Sequence, residues 1–255
     1  MVIFVSGVYG TVQATPILIS HWAGENNASD SVGANNGSLI NGTNFTAGVN
    51  GQAFLFDGAN DRIDIYNDNE GPENGGLAFT GSFSISASIN VASFSSSFGQ
   101  IVFRGDSRAG FDPYFLAATK RYINNQWTDG VWFNINNSSN QGAGIFAPLS
   151  TGSFFDILAT LDDTTGEMKL YVDDVLASSI TTAIRPFKDL ALGNWFGIGN
   201  HPNGGSNHQP FHGIIDEVKL YNGVVAPFSS VPEPATIFLF GLGLLGLAGV
   251  NRRKK

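Results

Sequence analysis

The sequence of 255 residues contains no cysteine, and this absence removes several kinds of chemistry at once. A chain without thiols has no disulfide framework, no thiolate metal site and no cysteine nucleophile. Charged residues are also scarce, since Asp, Glu, Lys and Arg together make up 13% of the chain, about half of the usual share. This composition favours turns and strands over solvated helices.

Basic residues are the scarcer of the two charge types. There are 13 Lys and Arg residues against 21 Asp and Glu residues, so the formal net charge is −8. Four of the basic residues stand together at 252–255, and the rest of the chain is therefore more acidic still. Nucleic-acid binding needs a basic face that neutralises phosphates. We therefore expect no nucleic-acid partner, and cations are the more plausible ligands of an acidic chain.

Glycine and asparagine are plentiful, with 32 and 24 residues, and both favour turns. No apolar stripe of helical period continues beyond two turns before residue 231, whereas alternation with period two recurs. Residues 83–91 predict a half-buried strand with a polar, open outer face made of Ser and Asn. Its inward positions are Phe83, Ile85, Ala87, Ile89 and Val91.

Residues 155–174 predict a β-hairpin. "FDILATL" and "GEMKLYVDD" flank the turn "DDTTG", and Met168, Leu170 and Val172 would point inward while Lys169 and Tyr171 point outward. Turn signals containing Asn-Gly divide the rest of the chain at short intervals. Many short strands with this punctuation indicate an all-β, two-sheet antiparallel sandwich over residues 17–228.

Six blocks then occur in a distinctive order, from residue 21 to residue 225. They read "HWAGENNASDSVGANNGSLINGTNF", "GVNGQAFLFDGANDRIDI", "GSFSISASINV", "FDILATLDDTTGEMKLYVDD", "FGIGN" and "FHGIIDEVKLYNGVV". In this order they resemble the laminin-G-like (LamG-like) family of concanavalin A-like jelly rolls. The resemblance implies a non-catalytic sandwich that binds glycans or proteins, and often Ca²⁺. One departure is Asp174 in "YVDD", where the family commonly has glycine.

The two ends of the chain look like sorting segments. Residues 1–14 are mostly apolar and end in Val12-Gln13-Ala14, which suits signal-peptide cleavage before Thr15, although a basic n-region is missing and a first strand is the alternative. Near the other end, residues 235–250 carry no charge and precede the basic cluster at 252–255. As a helix this segment would span about 24 Å, short of the ~30 Å core of a bilayer.

The segment "VPEPATIFLFGLGLLGLAGVNRRKK", residues 231–255, resembles a PEP-CTERM sorting signal, with its Pro232-Glu233-Pro234 motif, apolar segment and basic end. The resemblance implies a Gram-negative exported protein whose tail spans the inner membrane transiently as a short apolar helix. An exosortase would recognise the motif and remove the tail, leaving the protein at the cell surface or in the matrix. An ordinary retained C-terminal anchor is the alternative.

The sequence gives little support for an enzymatic function. Glycoside hydrolysis needs two carboxylates placed across a cleft, yet no two of the six glutamates pair on one strand, and Asp64 and Asp68 run into a loop. No GxSxG elbow or phosphate-binding loop occurs. His201, His208 and His212 could hold zinc only if their Gly-rich loop aligned them.

Calcium is the better-motivated chemistry. Asp216 shares the inward register of Val218 and Leu220, and a carboxylate buried alone is costly. Oxygen ligands from the loop around Asp30 would resolve this cost, because Ca²⁺ takes 6–8 oxygens. The alternative is that Asp216 accepts backbone N–H bonds. The predicted calcium ligands are Asp30 and Asp216, with Asp57 and Asp61 in reserve.

Aromatic side chains beside polar loops are typical of glycan sites. We predict Trp127, Tyr114 and Trp195 as ligand-binding residues, with Trp127 the most exposed of them. The predicted function is an exported, non-catalytic module that binds a glycan or a surface protein. The alternatives are a structural matrix or biofilm protein without a specific ligand and, less favoured, a glycoside hydrolase.

Overall fold

The computed structural model describes residues 15–66, 76–191, 195–202 and 209–227. This part of the chain is built of β-strands. They are β1 (Ile17–Trp22), β2 (Ser38–Ile40), β3 (Asn44–Ala47), β4 (Gln52–Asp57), β5 (Arg62–Tyr66), β6 (Phe83–Val91), β7 (Gly99–Gly105), β8 (Tyr114–Ile123), β9 (Gln126–Asn136), β10 (Gly142–Pro148), β11 (Phe154–Asp162), β12 (Glu167–Val172), β13 (Val175–Thr181), β14 (Trp195–Ile198) and β15 (His212–Asn222).

The strands form two antiparallel sheets. The eight-stranded sheet has the order β13-β12-β11-β6-β15-β4-β3, with β1 also paired to β15, and the seven-stranded sheet has the order β10-β9-β8-β7-β14-β5-β2. Strands that are neighbours in space are often distant in sequence, as where β15 lies between β6 and β4. The predicted all-β jelly-roll sandwich is therefore confirmed.

Strand β15 changes partner along its length because of a bulge. Its first half pairs with β4 through His212–Ile215 and its second half pairs with β1 through Val218–Asn222. Between these halves the pairing with β6 shifts register, and Glu217 takes a positive φ of 53°. This bulge begins at Asp216, one of the predicted calcium ligands.

The core lies between the two sheets and follows the alternation read from the sequence. All five inward positions predicted on β6, from Phe83 to Val91, are buried. Phe83 stacks on Phe79 with ring centroids 5.1 Å apart and contacts Phe133 of the other sheet at 5.9 Å. Such aromatic pairs add to the free energy gained by removing each ring from water.

The predicted hairpin is formed by β11 and β12. Leu161 pairs with Met168 and Ala159 pairs with Leu170, and all four side chains are buried. The next turn contains Asp173 and Asp174, both with positive φ, 49° and 63°. Two consecutive left-handed residues are the requirement of a type I′ hairpin turn, so β13 can follow β12 although Asp174 replaces the usual glycine.

The open polar face predicted for β6 is wrong. Ser84 is fully buried, where its hydroxyl donates to the Gly223 carbonyl at 2.8 Å and accepts from the Val225 N–H at 2.9 Å. Ser88 is also buried and bonds Asp156 on β11. A central strand has neighbours on both sides, and here the chain after β15 covers its outer face.

The chain divides into two units, residues 1–225 and 226–255, and the sandwich belongs to the first. The signal-like residues 1–14, the sorting motif Pro232-Glu233-Pro234 and the apolar segment 235–250 lie outside the described residues. Within the described ranges, no helix has the length and apolar character needed to cross a membrane.

Candidate functional site

The outer face of the seven-stranded sheet carries a second apolar cluster, separate from the core. On β8, Tyr114 and Leu116 point into the core, whereas Phe115 and Ala117 point to the opposite face. There they pack with Phe103 of β7 and Trp195 of β14. These four side chains are almost fully buried, so this face of the sheet is covered and the cluster forms a second, smaller core.

Strand β9 adds a row of larger polar and aromatic groups to the same face. Val131, Phe133 and Ile135 point inward, so the alternation sends Trp132, Asn134 and Asn136 outward. The Asn134 and Asn136 amides contact each other at 3.2 Å, and Asn136 donates to the Asp112 carbonyl at 2.8 Å. The row is therefore held in place before any ligand arrives.

Two glycines of the edge strand β10 make room for this row. A Cβ on Gly144 would lie 2.3 Å from Cζ2 of Trp132, and a Cβ on Gly142 would lie 2.3 Å from Oδ1 of Asn136. Any other residue at these positions would push the indole or the amide away from the sheet. The floor of the site therefore depends on glycine at the strand that borders it.

Together these side chains line an open cleft of about 390 Å³. This volume lies within the range of small-molecule sites. Its polar and charged lining residues are Asp106, Arg108, Asp112, Arg121, Asn134, Asn136, His201 and Gln209, and its rings are Phe98, Phe115 and Trp132. We refer to this set as the cleft.

Arg121 of β8 reaches over the ring of Trp132. The guanidinium carbon lies 4.1 Å from the ring centroid, which is a cation–π contact. Both side chains are half-buried. Since the contact holds a long and flexible side chain in one place, it positions the cationic head at the cleft.

Asp106 and Arg108 form a closed ion pair at one end of the cleft. Arg108 Nε lies 2.9 Å from Asp106 Oδ2, and Arg108 Cζ lies 3.9 Å from the Phe111 ring centroid. Asp106 also accepts the Ala191 N–H at 3.2 Å and is 1% exposed. Arg104, at the end of β7, is fully buried, and its guanidinium donates to the carbonyls of Phe187 and Lys188.

Asp112 is a carboxyl of the cleft whose pKa is shifted strongly upward. Burial raises the pKa of its carboxyl to about 7, and the negative charge of Asp106 acts in the same direction. A Cβ on Gly105 would lie 2.3 Å from Asp112 Oδ1, so the carboxyl rests directly on the backbone at the end of β7. Asp112 therefore changes from hydrogen-bond donor to anion near neutral pH.

A smaller pocket of about 210 Å³ adjoins the cleft and shares Phe98 with it. It is lined largely by small residues, including Ser93, Ser95 and Ser97. Ser93 Oγ lies 2.7 Å from His212 Nδ1 at its rim. A second, hydroxyl-rich depression therefore lies beside the cleft at Phe98.

The three predicted ligand-binding aromatics occupy different places. Trp127 is 61% exposed, as expected, and contacts Tyr122 across the β8–β9 hairpin. Alternation along β9 places it on the face opposite to Trp132, outside the cleft. Tyr114 is fully buried and its hydroxyl donates to the Leu77 carbonyl at 2.5 Å, so the prediction that it contacts a ligand is corrected. Trp195 is 6% exposed and supports the cleft from the apolar cluster.

Asp30 is the predicted calcium ligand of the first loop. Both of its carboxylate oxygens accept hydrogen bonds from backbone N–H groups. Its Oδ1 accepts from His21, Val32 and Gly33 at 3.0 Å each, and its Oδ2 accepts from Asn35 at 3.1 Å. Burial alone would raise the pKa of this carboxyl, but the bonds from Gly33, His21 and Val32 lower it overall. Asp30 therefore serves as a clamp for its own loop.

Asp57 and Asp61, the reserve ligands, clamp a second loop in the same way. Asp57 Oδ1 accepts the Ala59 N–H at 2.8 Å. Asp61 accepts the Gly42 N–H at 2.8 Å and the Asp57 N–H at 3.0 Å. Both carboxylates therefore stabilise the turn that joins β4 and β5.

Asp216 is fully buried, as its register predicted, and one of its oxygens has no partner. Oδ2 accepts the N–H groups of Val49 and Asn50 at 2.8 and 3.3 Å, whereas Oδ1 makes no hydrogen bond. Burial raises the pKa of this carboxyl. Asp216 thus fits both interpretations in part, since one oxygen accepts backbone N–H bonds and the other is an acceptor without a partner.

The four predicted calcium ligands do not form one site. Among the residues that the structure describes, no group of three His, Asp or Glu side chains could hold a metal ion. The calcium prediction therefore rests on Asp216 alone. Of the histidines considered for zinc, His201 packs on Phe103 at 4.2 Å, His212 bonds Ser93, and His208 lies outside the described residues.

Ser31, His21 and Glu217 form a line that resembles a hydrolytic triad. Ser31 Oγ lies 3.1 Å from His21 Nδ1, and His21 Nε2 lies 3.0 Å from Glu217 Oε2. The N–H groups that would stabilise an oxyanion beside Ser31 are already used, however. Ser31 donates to the His21 carbonyl, and residues 32 and 33 donate to Asp30. These hydrogen bonds therefore have a structural role, because they join β1 to the bulge of β15.

The sequence predictions missed the cleft residues Arg121, Trp132, Asn134 and Asn136. The stretch "VWFNIN" at 131–136 did contain the signal, since its alternation separates a core face from a face with Trp and two Asn. The contact with Arg121 had no such signal, because it depends on how β8 and β9 align: Ala117, and not Arg121, lies opposite Trp132.

Comparison with known families agrees with this architecture. The sequence profile described as the concanavalin A-like lectin/glucanases superfamily matches residues 57–227, more than half of the chain. The chain belongs to the concanavalin A-like lectin/glucanases superfamily. A second profile, the PEP-CTERM protein-sorting motif, matches residues 230–254. This motif indicates an exported protein of the cell surface or the extracellular space. A comparison with curated protein sequences gives no significant match.

Solved structures of the same fold include sugar-bound and toxin domains. Domain 4 of AbnA, a GH43 extracellular arabinanase from Geobacillus stearothermophilus, in complex with arabinotriose, has a TM-score of 0.57 at 19% identity and covers 83% of this chain and 95% of that one. The binding domain of Paraclostridial Mosquitocidal Protein 1 has a TM-score of 0.61 at 15% identity and covers 83% and 50%.

The binding domain of botulinum neurotoxin serotype G has a TM-score of 0.58 at 12% identity and covers 82% of this chain and 49% of that one. This chain thus spans about half of the length of each toxin domain. At these identities the likeness establishes the shared fold. Two of the three neighbours are described as binding domains.

Proposed function

We propose that this protein is an exported, non-catalytic module that binds a glycan in the cleft, at the cell surface or in the extracellular matrix. The observation that carries the proposal is the combination of Trp132 with the Asn134 and Asn136 amides on one rigid sheet face. Glycans present apolar ring faces beside hydroxyl groups, and such a surface offers partners for both.

The fold neighbours support this choice. The arabinanase domain was solved with arabinotriose, so a sandwich of similar topology accepts a short sugar chain. The serine-lined pocket, which shares Phe98 with the cleft, offers a second place for a ligand of more than one sugar unit. A surface protein remains the alternative ligand, and a matrix component without a ligand is the second alternative.

Hydrolysis deserves a specific test because two carboxyls, Asp106 and Asp112, line the cleft. A raised pKa such as that of Asp112 suits a general acid. The second carboxylate of a glycosidase must reach the sugar or a water, yet Asp106 is 1% exposed and closed by Arg108. We therefore favour binding, and expect no reducing sugar to be released from polysaccharides.

The test of the proposal is a glycan array probed with the full chain in mild detergent. We expect wild-type protein to bind a restricted set of glycans, and Trp132→Ala to lose at least tenfold in affinity. Trp127→Ala is the matched control, since it removes an exposed tryptophan outside the cleft and is expected to bind normally. Equal losses in both variants, or no binding by folded wild-type protein, would contradict the proposal.

We further propose that an exosortase recognises Pro232-Glu233-Pro234, after transient anchoring of residues 235–250 in the inner membrane, and removes the tail. The match to the sorting motif supports this proposal. Mass spectrometry of protein recovered from the cell surface tests it. A mature chain that ends near residue 234 is expected, whereas a chain that retains residues 238–255 would show that the tail is an ordinary anchor.

A further inference from the structure

The cleft has as many cations as carboxyls, but its ion pairing is incomplete, and the cation left over indicates the kind of ligand. Its fixed cations are Arg108 and Arg121, and its carboxyls are Asp106 and Asp112. Arg108 is committed to Asp106 by a pair with Nε 2.9 Å from Oδ2. Among the described residues, Arg121 has the Trp132 ring as its contact and makes no ion pair with any carboxylate.

The position of Arg121 suits an incoming anion. The cation–π contact occupies a face of the guanidinium, and the N–H donors lie at its edge. Since the side chain is already held over Trp132, little rotamer entropy remains to be lost on binding. A planar carboxylate can accept two parallel N–H bonds from such a fork.

We propose that the cleft selects a sugar bearing a carboxylate, which pairs with the Arg121 guanidinium while Asn134 and Asn136 bind the hydroxyl groups. This inference rests on the proposed glycan-binding function and narrows it to acidic sugars. The Trp132 ring beneath Arg121 holds the guanidinium at the cleft, where it can meet the carboxylate.

The surrounding charges favour a singly charged group over a strongly anionic one. The chain carries a net charge of −8, and Asp106 and Asp112 stand near the same cleft. A sulfate- or phosphate-rich polymer would be repelled by these negative charges, and Arg121 alone would offset the repulsion. One carboxylate per sugar matches one guanidinium, and the remaining contacts are neutral amides.

Asp112 makes the binding dependent on pH. Its pKa of about 7 means that it is a neutral donor in mildly acidic solution and an anion in alkaline solution, where it repels a bound carboxylate. The other titratable or charged groups that face the cleft are Asp106, Arg108, Arg121 and His201. Affinity for an acidic sugar is therefore expected to fall as the pH rises from 6 to 8.

The experiment is calorimetric titration of the full chain with oligogalacturonate and its methyl ester, and with sialyllactose and its neutral counterpart, lactose. The ester keeps the sugar and removes the charge. We expect the free acid of one of the two sugars to bind at least tenfold more tightly than its neutral counterpart, and the responding sugar distinguishes a uronate from a sialate. Arg121→Gln is expected to abolish this preference, so that the acid and its neutral counterpart bind equally.

Arg185→Gln serves as the matched control, because Arg185 pairs with Asp163 away from the cleft. It should retain the preference for the acid. Equal binding of acid and ester, a preference for sulfated sugars, or an unchanged preference in Arg121→Gln would overturn the inference while leaving glycan binding intact. If folded wild-type protein bound no sugar at all, this result would contradict both the proposed function and the inference.

Discussion

Arg121 on β8 and Trp132 on β9 form the contact on which the cleft depends, with the guanidinium carbon 4.1 Å from the ring centroid. The two residues are not opposite each other in the sheet, since Arg121 pairs with Thr128 and Trp132 pairs with Ala117. The side chain of Arg121 therefore runs along the sheet past Gly130, which lies opposite Thr119. The space above Gly130 is taken by the Phe146 ring of β10, since a Cβ on Gly130 would lie 2.4 Å from Phe146 Cζ.

Gly144 supports the same contact from the other side, and its replacement should disturb it. In Gly144→Ala the new methyl group would lie 2.3 Å from Trp132 Cζ2. Because the indole is rigid, we expect it to move, with a loss of about 1–3 kcal/mol in the free energy of unfolding and weaker glycan binding. Urea unfolding followed by tryptophan fluorescence measures this loss.

Gly81→Ala is the control, since the nearest atom to a Cβ there is 3.9 Å away. It should unfold as wild type does. A Gly144→Ala variant with unchanged stability and fluorescence would mean that the Trp132 ring has room that the structure does not show.

Asp112 should make the protein less stable as the pH rises. Its pKa increases from 3.8 in the unfolded chain to about 7 in the fold, so the folded state binds more protons between these values. Stability is then complete below pH 3.8 and is lost progressively up to pH 7, by at most about 4 kcal/mol. Asp112→Asn should remove this part of the pH dependence and be the more stable protein at pH 8.

Denaturant unfolding of both proteins at pH 5 and pH 8 provides the comparison. Parallel pH profiles for wild type and Asp112→Asn would show that Asp112 is ionised in the fold at both pH values.

The sequence was a good guide where a pattern repeats along one strand. The inward residues of β6 and the β11–β12 hairpin follow from period-two alternation and a turn signal, because both features are local. The same logic failed for Ser84, which is covered by residues 223–225 that lie about 140 positions away in sequence. Alternation identifies the two faces of a strand, but it does not say what covers the outer one.

The site was harder to predict for the same reason. Tyr114 and Trp132 are both aromatic residues in long strands, yet one fills the core and the other lines the cleft. Their difference depends on register within β8 and β9, which a composition argument ignores. The acidic residues misled in another way, since Asp30, Asp57 and Asp61 serve to bind backbone N–H groups of their own loops.

Asp30 should therefore matter for stability whether calcium is present or not. Asp30→Asn places an NH₂ group among four backbone N–H donors, so at least one charge-assisted bond is lost and another is weakened. We expect a cost of about 2–3 kcal/mol, since hydrogen bonds to charged groups are the stronger ones. Thermal unfolding in EDTA and in calcium should give the same loss.

Asp57→Asn is the matched control, because Asp57 is exposed and its main bond joins residues of one tight turn. Its cost should stay below about 1 kcal/mol. A destabilisation of Asp30→Asn that appeared in calcium but not in EDTA would instead make Asp30 a metal ligand.

Asp216 gives the remaining test of calcium, because its Oδ1 is buried without a partner. A cation that reached this oxygen would offset the cost of burying the carboxylate, so we expect millimolar Ca²⁺ to raise the Tm of wild type and not that of Asp216→Asn. The variant keeps an oxygen for the N–H groups of Val49 and Asn50. If the wild-type Tm is the same in Ca²⁺ and EDTA, calcium plays no part, and Asp216→Asn should then be the more stable protein at neutral pH, since it removes a buried charge with an unmet hydrogen bond.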